Sequence, residues 1–217
     1  MHDQKSPNRR RAALTLGLLA VSLAAPAVAT ETLRFEVLLN DRPIGEHSFR
    51  IAEQDGQTRV SSRANFEVDF LFLTAYRYRH QSQEVFRDGC LTEIDASTND
   101  NGKRYEVAGS TTGDGFRVQH GDGETTANGC VKTFAYWDRA FLQQDRLLNS
   151  QTGELEPVAV REAGRDAVEV NGREVPATRY ALSTDELTID LWYNDDLGWV
   201  GLSSDTGNGR RLSYRRL

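Results

Sequence analysis

The sequence has few of the residues that most often carry chemistry at a protein site. Only two of its 217 residues are cysteine and four are histidine, and no CxxC pair is present. The histidines His47, His80 and His120 have no His or Cys partner at the spacing of a metal site. There is no Gly-x-Ser-x-Gly nucleophile elbow either. The sequence therefore predicts no catalytic residue, no metal ion and no cofactor, although a serine-histidine set assembled in space stays open.

No apolar run is long enough for a membrane-spanning helix. Residues 12–25 form an uncharged run of 14 residues, whereas about 20 are needed to cross a bilayer. The run follows the basic cluster Arg9–Arg11 and precedes Ala27–Ala29, a small-x-small cleavage pattern. This order predicts a signal peptide over residues 1–29, with one domain over residues 30–217. A retained anchor is the alternative, and both the general and the twin-arginine export routes fit.

Basic residues are outnumbered by acidic ones. The predicted signal peptide holds four of the 26 basic and one of the 32 acidic residues, so 22 and 31 remain, a net charge of −9. Nucleic acids and anionic membrane surfaces both need a basic patch on their partner. We therefore expect neither a nucleic acid nor an anionic membrane surface as a partner. From the predicted signal peptide we expect a periplasmic or secreted location, with no membrane span after cleavage.

The two cysteines have a simple interpretation in an exported chain. Cys90 and Cys130 each follow a glycine, in surroundings typical of turns. An even cysteine count in an exported protein predicts a disulfide. A loop of about 40 residues closed in this way would restrict the unfolded chain by roughly 4 kcal/mol. A metal-binding or redox pair is the alternative, which the absence of CxxC spacing disfavours.

Alternation of apolar and polar residues dominates the rest of the chain. The clearest case runs from Val60 to Phe72, where every second residue faces one side and the residues between are mostly polar. Turn pairs such as Asn101-Gly102 recur about every 8 to 15 residues, as in sandwiches and barrels. The pattern predicts an all-β fold: a strongly curved antiparallel sheet or incomplete β-barrel of roughly ten to twelve strands with one short helix.

Two segments depart from this alternation. From Asp138 to Leu148 the spacing predicts the short helix, which Asp138 could cap. Aromatic residues beside such a helix could cover the mouth of a barrel, and packing into the core is the simpler alternative. Phe70–Leu73 is apolar on both faces of its strand. That segment is expected to be either covered or an apolar rim.

One strand carries a candidate binding surface. Alternation places His80 on the same face as two tyrosines, Ser82, Glu84 and Phe86. If this face points inward, it lines a cavity with mixed polar and aromatic groups; a hydrogen-bonded histidine at the edge of a core is the plainer alternative. The predicted ligand-binding set is Tyr76, Tyr78, His80, Tyr136, Trp137 and Phe141.

Several motifs together resemble those of a known family. They include the runs 74–80, 89–91, 99–104, 129–130, 134–137 and 147–153, with Ala177–Tyr180 and Leu191–Tyr193. As a set they resemble a family of exported proteobacterial proteins that is known only as a domain of unknown function. The resemblance implies a periplasmic location and supports the disulfide, and it implies no activity.

Three functions remain as hypotheses. The first is a non-catalytic binding or carrier protein for an apolar or lipid-like component of the cell envelope, which rests on the analogy with ligand-holding barrels. The second is a protein–protein interaction module of the envelope. The third is a hydrolase with a spatially assembled site around His80. The expected partner is accordingly an apolar small molecule or an envelope protein.

Overall fold

The structure is a computed structural model that describes Met1 and residues 29–70, 73–121, 123–206 and 209–217. Two predictions lie outside these residues. One is the signal peptide, of which residues 2–28 are not described. The other is the apolar rim at Phe70–Leu73, whose side chains are not described.

Most of the described residues lie in β-strands, because alternation of apolar and polar side chains suits a sheet with one buried face. Turns with positive φ connect many neighbouring strands, for example Asn101 and Gly102 at 49° and 98°. The strands are Ala29–Leu39 (β1), Arg42–Gln54 (β2), Gln57–Phe70 (β3), Leu73–Arg87 (β4), Cys90–Asp100 (β5), Lys103–Thr112 (β6), Gly115–His120 (β7), Gly123–Ala127 (β8), Arg146–Leu148 (β9), Leu155–Pro157 (β10), Ala159–Val170 (β11), Arg173–Ser183 (β12), Thr188–Asn194 (β13), Gly198–Asp205 (β14) and Arg211–Arg216 (β15).

Thirteen of these strands form one antiparallel sheet in the order β11-β12-β13-β14-β15-β1-β2-β3-β4-β5-β6-β7-β8. The order follows the chain except that the C-terminal half precedes β1, because β15 pairs with β1. Strands β11 and β8 are the two edges, so the sheet is not closed within the described residues. The predicted fold class, a curved antiparallel sheet or incomplete barrel, is confirmed, with more strands than expected.

A segment without long strands fills the interior of the curved sheet. This inner segment, residues 128–158, connects β8 to β11 and contains the small pair β9 and β10. Val131, Phe141 and Leu148 from it lie in the same core as side chains from both halves of the sheet. In a small barrel, side chains alone fill the interior. Here the inner segment occupies part of that space.

The predicted helix is shorter than expected. A 3-10 helix spans Arg139–Gln143, and the side chain of Asp138 caps it by accepting a hydrogen bond from the backbone N–H of Ala140 at 3.0 Å. The chain then enters β9, so Leu148 belongs to a strand rather than to the helix. Pairing of Leu148 with Thr133 and the burial of its side chain outweigh the helical spacing in this segment.

The disulfide ties the inner segment to the sheet. Cys90 and Cys130 are bonded, with their Cα atoms 5.0 Å apart. Next to this bond, Lys132 is buried and its ammonium group donates hydrogen bonds to the Gly89 carbonyl at 2.6 Å and to the Asp138 carboxylate at 2.9 Å. The predicted disulfide is thus present in the structure, and no helix in the described ranges has the length and hydropathy to cross a membrane.

Candidate functional site

The interior contains a cavity of about 230 Å³ between the sheet and the inner segment. One side of it is formed by strands β2 to β4, another by the inner segment, and its rim by the turn from β12 to β13. The lining residues of the sheet are His47, Phe49, Val60, Ser62, Tyr78, His80, Ser82, Glu84 and Ile189. Those of the turn are Thr184 and Leu187, and those of the inner segment are Thr133–Trp137, Asn149–Gln151 and Glu156.

The inward face of β4 carries the polar part of this lining. His80, Ser82 and Glu84 are all buried, with exposed fractions of 8%, 2% and 7%. They alternate with exposed residues, as the pleat of a strand requires. His80 accepts or donates a hydrogen bond through Nδ1 to the hydroxyl of Thr98, at 2.8 Å on the neighbouring strand.

A second histidine lies in the same row of the sheet. The register places His47, Ala64, His80 and Thr98 side by side across β2 to β5. Since the residue between the two histidines is a small alanine, nothing bulky separates their rings in the row. We therefore group the inward side chains His47, Ser62, His80, Ser82 and Glu84 as the polar wall of the cavity.

Both ring nitrogens of His47 are held by hydroxyl groups. Nε2 lies 2.8 Å from the Ser62 hydroxyl, and Nδ1 lies 3.1 Å from the Tyr214 hydroxyl. The ring also stacks on Phe49, with ring centres 4.2 Å apart. His47 thus borders the cavity in a fixed orientation and is otherwise enclosed by other rings.

The two histidines are kept neutral by their surroundings. Burial, together with the nearby His80, lowers the pKa of His47 from 6.5 to about 3. Burial lowers the pKa of His80 to about 4. Removing the ring from water disfavours the charged form, so both rings are uncharged at neutral pH.

Glu84 is the buried carboxyl group of the polar wall. Burial raises its pKa, while hydrogen bonds from Thr133 and Ser82 oppose that shift. The Thr133 hydroxyl donates to Oε2 at 2.9 Å and the Ser82 hydroxyl donates to Oε1 at 3.1 Å. Glu84 therefore joins the sheet to the inner segment through hydrogen bonds from two hydroxyl groups.

The remaining lining is mixed. Its apolar and aromatic members are Phe49, Val60, Tyr78, Phe134, Ala135, Tyr136, Trp137, Leu187 and Ile189, and its other polar members are Thr133, Asn149, Ser150, Gln151, Glu156 and Thr184. At one end the Tyr78 hydroxyl donates a hydrogen bond to the Gln151 side chain at 2.8 Å. The cavity consequently combines apolar and aromatic side chains with many polar groups, several of which are held in place by hydrogen bonds.

The predicted binding residues separate into two groups. Tyr78, His80, Tyr136 and Trp137 line the cavity. Tyr76 and Phe141 do not: the Tyr76 hydroxyl donates to Asp100 at 2.8 Å, and Phe141 is completely buried in the core. Whether any of the six binds a ligand stays a prediction.

Sequence reasoning did not find His47, Ser62 or Thr133. His47 precedes His80 by 33 positions, and only the pairing of β2, β3 and β4 brings the two together. Ser62 could have been found, because alternation already placed it on the inward face with Val60 and Phe66.

The Ser62–His47–Tyr214 row has the connectivity of a nucleophile, a base and an orienting group. His47 would be a weak general base, however, because a histidine whose pKa is about 3 accepts a proton poorly near neutral pH. Its third group is a phenol, whose pKa burial raises further, and not a carboxylate. No group of three or more His, Cys, Asp or Glu side chains in the described part of the chain could hold a metal ion. The geometry therefore suits neutral hydrogen bonding better than general-base catalysis.

Comparison with known proteins identifies a family and a fold. The model of a domain of unknown function (DUF6134) matches residues 35–217. Among solved structures, the crystal structure of a β-barrel-like protein of domain of unknown function DUF1849 from Brucella abortus is similar, with a TM-score of 0.60. The two sequences are 12% identical, and the match covers 89% of this chain and 98% of that one. No curated protein matches.

Proposed function

We propose that this chain, which belongs to the family of the domain of unknown function DUF6134, is a non-catalytic binding or carrier protein for an apolar or lipid-like component of the cell envelope. The observation that carries the proposal is the interior cavity of about 230 Å³, lined by aromatic and aliphatic side chains together with polar groups, among them the two neutral histidines of the polar wall. A β domain that served only as a docking module would have no need of such a cavity.

The size of the cavity limits the ligand. A dry cavity of about 150 Å³ is sufficient for benzene, and whole drug-sized ligands occupy about 300 to 1,000 Å³. A volume of about 230 Å³ therefore suits a small molecule, or one end of a longer apolar molecule. The rest of such a molecule would leave past the rim at Thr184 and Leu187.

Export to the periplasm is part of the proposal. Its support is the disulfide between Cys90 and Cys130, since stable disulfides are rare in reducing compartments, and the signal-like pattern of residues 1–29. Fractionation of the native host with N-terminal sequencing tests it. A mature N-terminus close to Thr30 in the periplasmic fraction is expected, and intact chain in the cytoplasm would contradict it.

Mass spectrometry of the material that copurifies with the periplasmic protein tests the binding function. We expect one class of small apolar molecule in organic extracts of the wild-type protein. Replacing Ser62 with leucine would fill part of the cavity and should reduce the copurified amount at least about tenfold, because a ligand and a leucine side chain cannot share a packed space.

Ser61→Leu is the matched control, because it adds the same side chain on the same strand but on the opposite face. It should leave the copurified material unchanged. The folding of both variants is checked by circular dichroism and thermal unfolding. If folded wild-type protein never carries a small molecule, or if Ser62→Leu carries as much as wild type, the proposed function is wrong.

A further inference from the structure

We propose that the group of the ligand that enters the cavity is uncharged, such as a hydroxyl, ester or amide, and is not a carboxylate, phosphate or ammonium group. This inference rests on the proposed binding function and names the chemical class of its ligand. Its support is the absence of basic side chains among the described lining residues and the hydrogen bonding of the polar wall and of the two carboxyl groups.

No positive side chain is available to an anion. None of the described residues that line the cavity is lysine or arginine. Lys132, close to this lining in sequence, already donates to Gly89 and Asp138 and does not border the cavity. An anion that left water here would have no opposite charge as partner, which is strongly unfavourable.

The hydrogen-bonding groups of the wall are nearly all paired. His47 uses both ring nitrogens, on Ser62 and Tyr214. Glu84 uses both oxygens, on Ser82 and Thr133. The Nε2 atom of His80 makes no hydrogen bond with any described residue, whereas its Nδ1 contacts Thr98. The wall can therefore offer one or two neutral hydrogen bonds to a ligand, and no cluster of donors of the kind that cradles an anion.

A cation is disfavoured for a related reason. The two carboxyl groups of the lining already have partners: Glu84 as described, and Glu156, which accepts a hydrogen bond from the Asn149 amide at 2.6 Å. Burial holds Glu84 toward its neutral form. An ammonium group at Glu84 would have to displace its two hydroxyl donors, and at either carboxyl group it would lose its own hydration.

Three probes of equal chain length test the inference: octanol, octanoate and octylammonium, each titrated into the wild-type protein by calorimetry at neutral pH. Octanol should bind at least about thirtyfold more tightly than either ion. The reason is that the free energy lost on burying an unpaired charge is several times the free energy of a tenfold change in affinity. Octanoate should gain affinity as the pH falls toward about 5, since its neutral fraction then grows.

A charge placed at the cavity should change this selectivity. Gln151→Lys introduces an ammonium group into the lining and should raise the affinity for octanoate relative to octanol at least about tenfold. Gln83→Lys is the matched control, because Gln83 lies exposed on the outward face of β4. It should leave the ratio of the two affinities as in wild type.

The outcomes separate the two proposals. If none of the three probes binds and no small molecule copurifies, the proposed function fails. If octanoate or octylammonium binds as tightly as octanol, the inference fails and the binding function stands. If Gln83→Lys changes the ratio as much as Gln151→Lys does, the selectivity reflects overall charge, and the inference is likewise wrong.

Discussion

Two groups of strands in the same sheet border the interior, and they differ in the side chains that they contribute. The polar wall, on β2 to β4, presents histidine, serine and glutamate side chains. The apolar wall, on β13 and β14, presents the buried side chains Ile189, Leu191, Tyr193, Trp199 and Leu202. Both walls come from antiparallel strands with the same alternation, so the difference arises from the side chains alone.

The comparison teaches that the two walls contribute differently to the stability of this fold. Burying one large apolar side chain contributes about 1.5 to 3 kcal/mol, whereas a buried polar group that exchanges water for a protein partner contributes about 1 kcal/mol. The apolar wall therefore stabilises the domain. The polar wall adds little to stability and supplies the groups that a ligand would contact.

The largest expected effect is on the apolar wall. Trp199 is 1% exposed, its ring centre lies 4.1 Å from that of Phe35, and its indole N–H donates to the Gly201 carbonyl at 2.8 Å. Trp199→Ala should lower the free energy of unfolding by about 3–5 kcal/mol, as measured by urea denaturation. Trp192→Ala, on the opposite face of the sheet and only partly buried, should cost clearly less. Equal losses would contradict the assignment of the main stabilising contacts to the inward face of β13 and β14.

The disulfide should matter next, and mainly on the polar side. Cys90→Ser with Cys130→Ser should lower stability by about 2 to 4 kcal/mol, because the unfolded chain gains the freedom of a loop of about 40 residues. Hydrogen exchange should increase most in the inner segment near residues 130–137, which the bond ties to β5. Hydrogen exchange that increases first in β13 and β14 would show that the disulfide does not hold the inner segment against the polar wall.

The histidines of the polar wall should make the protein sensitive to acid. Their pKa values in the folded state are about 3 for His47 and about 4 for His80, both below 6.5. The unfolded chain therefore binds more protons, and stability falls as the pH drops from about 6.5 toward 4. Each histidine should contribute up to about 1.4 kcal/mol per pH unit.

Chemical denaturation at several pH values measures this slope. His80→Asn, which can keep the hydrogen bond to Thr98, should reduce the slope, and the double variant with His47→Asn should reduce it further. A wild-type slope that both variants retain would mean that the histidines are not the groups being titrated.

The smallest effect is expected at Glu84, and its pH dependence has the opposite sign. Burial raises the pKa of this carboxyl group, so its contribution to stability falls as the pH rises above about 4.5. Glu84→Gln keeps the shape and can still bond both hydroxyls. It should change stability by no more than about 1 kcal/mol in acid and should gain on wild type as the pH rises. If Glu84→Gln instead loses stability relative to wild type as the pH rises, Glu84 is ionised in the folded protein.

Much of the fold could be predicted from the alternation of side chains. The inward set on β3, Val60, Ser62, Ala64 and Phe66, is buried as expected, and the turn at Asn101-Gly102 forms the expected hairpin. The disulfide followed from the cysteine count. These features could be predicted because each depends on neighbours in the chain or on a single pair of residues.

The candidate site was predicted only in part. Alternation placed Tyr78 and His80 on one face of a strand and left open whether that face points inward; in the structure both line the cavity. It also placed Tyr76 there, but a hydrogen bond to Asp100 holds that side chain away from the cavity lining. The length of the helix was overestimated because helical spacing and a strand that crosses the interior look alike over so few residues.

By itself, the amino-acid sequence determined which side of each strand is apolar, where the chain turns, and that two cysteines were available to pair. Only the tertiary structure decided that His47 and His80 share a row, that β15 closes against β1, and that residues 128–158 pass through the interior and leave a cavity there. The physical reason is that alternation is a local property of the residues in one strand. Register between strands and the space enclosed by a curved sheet depend instead on the packing of the whole chain.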